Sequence, residues 1–288
     1  MLRKFYKVLL FGLCSVVSPV VLGNTETLRV CADPHNLPFS DNKRAGYENK
    51  IAELFAEELG ADLRYVWFPQ RIGFIRNTLR NLDAVSGRFK CDLVIGVPEK
   101  FELAATSKPY MHSSWAMVYV KGRGLDYIKK QEDLQNVDID RSQNLRIGVW
   151  DRGPVAKFVL EAGLMGRAVP YQIMTGDSQE NPGKIITRDL LGDKINLTFV
   201  WGPIAGYFAK MIEDEQIEVI PMRSTENLVF DFKISMAVRY GENEWLMRVN
   251  NFIEDKQHDI DVILRQFGIP MITLTKKNPH EINLETRK

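Results

Sequence analysis

The apolar positions along the chain change period several times, and each change marks an element. Leu28-Arg-Val-Cys-Ala32 reads as a strand, and the loop Asp33-Pro-His-Asn-Leu-Pro-Phe39 follows it. Ile51, Leu54, Phe55 and Leu59 recur at helical spacing, with Gly60 as a C-terminal stop. Leu63, Tyr65 and Trp67 alternate as in a strand, Ile72, Ile75, Leu79 and Leu82 mark a helix face, and Cys91-Asp-Leu-Val-Ile-Gly96 is a second buried strand. A β-α-β-α-β order of this kind predicts a parallel sheet covered by helices.

The plan then repeats. Leu145–Val149 is strand-like, Pro154–Leu164 helical with Pro at its start, Val169–Met174 a strand, Pro182–Leu191 a helix, Asn196–Trp201 a strand and Ile204–Ile212 a helix. The charged segment 122–144 reads as a linker. Strands at Ser114–Val120 and Ile234–Arg239 leave the first and second units. Trp245, Val249, Phe252 and Ile253, then Ile260, Ile263, Leu264 and Phe267, mark two closing helices. The chain therefore builds one unit, builds another and returns to the first. The expected fold class is α/β, with two lobes, two crossing strands at a hinge and a central cleft. Residues 24–118 plus 237–288 form the expected lobe 1, and 119–236 lobe 2.

The N-terminus stands apart from this pattern. Arg3, Lys4 and Lys7 precede the apolar run Val8–Val17, and small residues lead to a cut near Gly23. That is the layout of a secretory signal over 1–23, and the run is shorter than the roughly 20 residues of a membrane span. Removing it takes three cations from 38 and leaves 35 against 37 acidic residues, a net of −2. The mature chain is expected outside the cytoplasm, with no membrane span. At 288 residues, 45% hydrophobic and 26% charged, it has the composition of a folded protein long enough for two cores. The near-zero charge gives no electrostatic footprint for nucleic acid.

Export makes the cysteines informative. Cys14 leaves with the signal, and the remaining pair, Cys31 and Cys91, favours a disulfide in an oxidising compartment over two buried thiols. His35, His112, His258 and His280 are scattered without ligand spacing, so no metal is expected. The sequence has no Gly-x-Ser-x-Gly elbow, no His-Glu-x-x-His pair and no Walker loop, so an enzyme is not expected.

Leu28-Arg-Val-Cys-Ala-Asp-Pro…Pro-Phe39, Gly46-Tyr-Glu48, Cys91–Gly96 and Thr106-Ser-Lys-Pro-Tyr110 resemble the periplasmic solute-binding proteins of amino-acid ABC transporters. The resemblance implies a type II periplasmic binding-protein fold with ligand loops at the carboxyl ends of strands. It also exposes two departures. Where such proteins carry an Arg seven residues before the Ser of Ser-x-Pro-Tyr, this chain has Lys100, a point charge without a planar fork. Where they carry an Asp for the ligand ammonium, two residues before the late Pro, it has Trp201.

Two longer segments, Trp67-Phe-Pro-Gln-Arg-Ile-Gly-Phe-Ile-Arg-Asn-Thr-Leu79 and Val200-Trp-Gly-Pro-Ile-Ala-Gly-Tyr-Phe208, are similar to the MxaJ/MoxJ family, with its XoxJ-type members. That resemblance implies a periplasmic accessory protein for a pyrroloquinoline-quinone (PQQ)-dependent methanol dehydrogenase. Such a protein would bind a dehydrogenase subunit or assembly intermediate, hold no cofactor of its own and be monomeric alone. By family position, Asp33, Phe39, Glu48, Lys100 and Tyr110 are expected cleft residues of lobe 1, with Gln70 and Arg71 on its rim. Trp150, Asp151 and Trp201 are the matching residues of lobe 2. For Glu48 the alternative is a cap on helix donors, and for Gln70 and Arg71 a solvated or capping role at a helix start. The other function class is a transport receptor for a small ligand that is not an amino acid. An enzyme on the same scaffold ranks third.

Overall fold

The computed structural model describes residues 26–137, 144–172, 181–212 and 216–272. The expected signal segment, Cys14, His280 and the end of the strand expected at 169–174 lie outside them. Strand β1 (Thr27–Ala32) runs into two short pairing strands, β2 (His35–Asn36) and β3 (Ser40–Asp41), and helix α1 (Tyr47–Leu59) follows. The helix stops at Gly60, whose φ of 61° closes it in the left-handed region as expected. Strand β4 (Asp62–Trp67) pairs parallel with β1, and a parallel bridge from Val30 to Leu93 carries this sheet toward β5 (Val94–Pro98).

The helix expected around Ile72–Leu82 shrinks to α2 (Phe74–Asn77). Gly73 enters it at a φ of 87°, and Thr78 turns its hydroxyl back to the Phe74 carbonyl at 2.6 Å, ending the helix after one turn. Phe74, Ile75 and Leu79 are buried, whereas Ile72 and Leu82 are exposed.

Strand β6 (Ala105–Val120) holds 16 residues and begins well before the expected Ser114. Its partner changes between Ser114 and Trp115. Up to Ser114 it pairs with β11 (Asp231–Val238); beyond, it pairs with β9 (Leu197–Trp201) and β10 (Ile217–Pro221). Strand β7 (Ile147–Trp150) lies parallel to β8 (Ala168–Tyr171) and β9, with α3 (Pro154–Glu161) between β7 and β8 in the chain. The expected 182–191 helix is a single π-helical stretch, Ile185–Leu190. Helix α4 (Gly202–Met211) springs directly from β9. The larger sheet thus runs β5-β11-β6-β9-β7-β8 and is mixed rather than wholly parallel.

Residues 138–143 of the segment expected as a linker lie outside the described residues, and its described part, 122–137, packs onto the second unit. Leu125, Ile128 and Leu134 are buried in its core against Tyr119, whose hydroxyl donates to the Ile128 carbonyl at 3.0 Å. The two closing helices are one, α5 (Asn243–Gln266), because the polar stretch 254–259 contains neither Gly nor Pro and follows its solvent side. The first unit is cored by α1 and α5 through Ile51, Phe55, Phe252 and Leu264. The second is cored through Phe158, Phe199 and Phe230 on one sheet face and through Ile186, Val200 and Ile204 on the other. Cys31 and Cys91 are bridged, with Cα atoms 5.7 Å apart, and the bridge staples β1 to the approach of β5.

Candidate functional site

The loops at the carboxyl ends of β1 and β4 are tied together by one buried side chain. The Asp33 carboxylate accepts from the His35 N–H at 2.8 Å and from the Gln70 N–H at 2.6 Å. Gln70 in turn accepts from the Asn36 side chain at 3.1 Å. Asp33 therefore positions the rim rather than facing outward. The first N–H groups of α1 are satisfied by this loop: Tyr47 donates to the Pro38 carbonyl at 2.8 Å and Glu48 to the Phe39 carbonyl at 2.9 Å. That approach needs Gly46, where a Cβ would overlap the Phe39 backbone.

A cavity of about 330 Å³ opens beside Phe39. From the first unit it takes Phe39, Tyr47, Glu48, Gln70 and Gly96. Trp115 and Trp201, paired across β6 and β9, close it where the strand partners change. Phe39 and Trp201 pack against cores of both units, so the cavity lies between them. Phe232 stands 5.9 Å from Trp201, ring to ring. Glu48 is 9% exposed. Burial first, and the Asp33 charge second, push its carboxyl up to about 8. Its Oε1 lies against Gly96 so closely that a Cβ there would overlap it.

Of the residues expected at a cleft, the structure gathers Phe39, Glu48, Gln70 and Trp201 around this cavity, with Asp33 behind them. Arg71 and Trp150 share a neighbouring pocket of about 370 Å³ with Tyr171 and Arg188. Trp150 is mostly interior, its indole N–H donating to the Phe199 carbonyl at 2.8 Å. Tyr110 is buried and lines a different pocket, with His112 and Gln257, rather than this cavity; burial and then the Glu48 charge push its phenol well up. Lys100 sits exposed on a turn after β5 at a φ of 61°, outside the cavity wall. Asp151 is exposed beyond β7, its N–H donating to the Tyr171 carbonyl at 2.8 Å.

Sequence reasoning missed Trp115, Gly96 and Phe232. Trp115 is half-buried in a strand whose neighbouring residues Ser113, Ser114 and Ala116–Val120 are buried, so no alternation marks it. Its register opposite Trp201 was the signal, visible only once strands are paired.

Near the crossing, His112 Nε2 lies 2.8 Å from Asp231, and the Ser224 hydroxyl donates to that same carboxylate. Because Ser224 engages the Asp and not the His, the three groups make no nucleophile–base pair. Among the described residues no cluster of His, Cys, Asp or Glu could hold a metal, and no helix is long and apolar enough to cross a membrane.

Two units joined by a shared long strand, with loops from the carboxyl ends of parallel strands meeting over a cavity between them, define a type II periplasmic solute-binding fold. No protein-family model matches the chain. The crystal structure of the periplasmic binding protein XoxJ from Methylobacterium extorquens AM1 superposes with a TM-score of 0.68 at 32% identity, covering 86% of this chain and all of that one. Protein MoxJ of Paracoccus denitrificans is 25% identical over 277 residues, 90% of this chain and 93% of its own. MxaJ from Methlophaga aminisulfidivorans MPT shares the fold, with a TM-score of 0.69 at 22% identity over 85% of this chain and all of that one. The chain belongs to the MoxJ/MxaJ/XoxJ family of periplasmic binding proteins.

Proposed function

We propose that this chain is a periplasmic accessory protein of a PQQ-dependent methanol dehydrogenase, assisting the enzyme's maturation, assembly or activity through a contact at its cleft. It reaches the periplasm through the signal at 1–23 and works as two lobes, 24–118 with 237–288 and 119–236. The observation that carries the reading is the cleft itself. Lys100 lies outside its wall and Trp201 lines it, where the resemblance to amino-acid receptors implies an Asp for the ligand ammonium, so the lining holds no basic residue and is largely aromatic. Aromatic side chains bury much area for little entropy and are enriched in protein-binding hot spots. The family's association with methanol oxidation supplies the partner. One observation favours the second reading, a transport receptor for a small ligand that is not an amino acid: a cavity of about 330 Å³ is of small-molecule size.

Co-purification of the tagged mature protein from native periplasm separates the two. The accessory reading expects the dehydrogenase among the captured proteins. A membrane permease captured without any dehydrogenase would favour the receptor.

A further inference from the structure

The cavity between the units carries one acidic side chain and no basic one among its lining residues. Glu48 is nine-tenths buried, and among the described residues no cation or hydrogen-bond donor is paired with its carboxyl. Gly96 gives that carboxyl its place, since any larger residue there would displace Oε1. Burying a carboxyl without a partner is costly, and the cost is recovered when a ligand supplies the missing charge.

The walls suit a positive ligand. Phe39, Tyr47, Trp115, Trp201 and Phe232 surround the space, and aromatic faces attract a cation through the ring quadrupole, most strongly where water is excluded. A carboxylate on the ligand would find no counter-charge there. Lys100 is outside the wall, and Arg71 lines the neighbouring pocket. The complement of this cavity is therefore an organic cation without an acid group.

We propose that the cavity binds an alkylated ammonium group, with Glu48 as its counter-ion and Trp115, Trp201 and Phe232 as its aromatic cage. The group arrives either as a small free alkylammonium or on a lysine side chain of another protein. The inference does not rest on the dehydrogenase partnership, because it is read on the purified chain alone, and each can fail without the other.

The test is isothermal titration of the mature protein at pH 9, above the value of about 8 to which burial pushes the Glu48 carboxyl, with choline, tetramethylammonium and N-acetyl-lysine methylamide. The neutral isostere of choline, 3,3-dimethylbutan-1-ol, is the control. Binding of choline or tetramethylammonium at millimolar concentration or below, at least tenfold tighter than the neutral isostere, supports a free ligand. Binding of the lysine derivative alone, with the same charge selectivity, assigns the group to a protein side chain. Glu48→Gln, checked for folding by circular dichroism, is expected to weaken binding at least tenfold. If that variant fails to fold, Trp201→Ala carries the same expectation, and the charge selectivity of the native chain stands on its own. No binding of any ammonium probe, equal binding of the neutral isostere, or unchanged affinity in folded Glu48→Gln overturns the proposal.

Discussion

Glu48 pays for its position in pH dependence. A free glutamate titrates near 4.3, whereas this one is pushed up to about 8, by burial first and by Asp33 second. Between those values the folded chain keeps a proton that the unfolded chain releases, so the contribution of Glu48 to stability falls as pH rises through the window. The groups facing it are Asp33, Tyr47, Tyr65 and Tyr110, and none of them is a cation. Glu48→Gln should therefore leave stability at pH 5 nearly unchanged. It should raise stability above that of the native chain beyond pH 8, by at least about 1 kcal/mol. Urea unfolding at the two pH values measures this, and a constant difference between the chains would contradict it. Gly96→Ala is a second residue-scale probe. The new methyl meets the Glu48 carboxyl, and overpacking of this kind costs about 1–3 kcal/mol. In the Glu48→Ala background most of that cost should vanish, which a double-mutant cycle in denaturant measures.

At the scale of elements, the Cys31–Cys91 bridge is a covalent constraint on the first unit. It closes a loop of 60 residue positions, and chain entropy puts its contribution at about 4 kcal/mol. The Cys31→Ala, Cys91→Ala double variant should lose several kcal/mol of unfolding free energy, and the native chain without reductant should show no alkylatable thiol after denaturation. Two alkylatable thiols would contradict the structure. The elements most legible in the sequence were those whose period was set by one buried face, such as α1 with Ile51 and Phe55, or the strand at Leu28–Ala32. Legibility failed where tertiary packing overrode local pattern. Ile72 and Leu82 fit a helical face yet lie exposed, because Gly73 and Thr78 confine that helix to four residues. Strand β10 went unread because Ile217–Pro221 is short and abuts a polar segment, and its place beside β6 is decided by pairing. The site divided in the same way. Phe39, Glu48 and Trp201 were legible from motif position, whereas Trp115 and Phe232 join them only through the register of β6 with β9 and β11.

For the whole molecule, the cavity between the units has aromatic walls and no basic residue among its lining residues, so it offers a ligand carboxylate no counter-charge. Ordinary α-amino acids should accordingly leave the melting temperature unchanged at millimolar concentration. A ligand present at 100 times its dissociation constant would stabilise the fold by about 2.7 kcal/mol, a shift readily seen. Units that meet at Phe39 and Trp201 also place any bound segment against both cores at once. The measurement that tests the accessory role most directly is the affinity of purified methanol dehydrogenase for the mature chain and for its Trp201→Ala, Arg71→Ala variant, with folding of both confirmed. A measurable complex is expected with the native chain, and at least about 30-fold weaker binding with the variant, as when a hot spot of about 2 kcal/mol or more is truncated. Equal binding by a well-folded variant, or no complex with the native chain, would contradict that role.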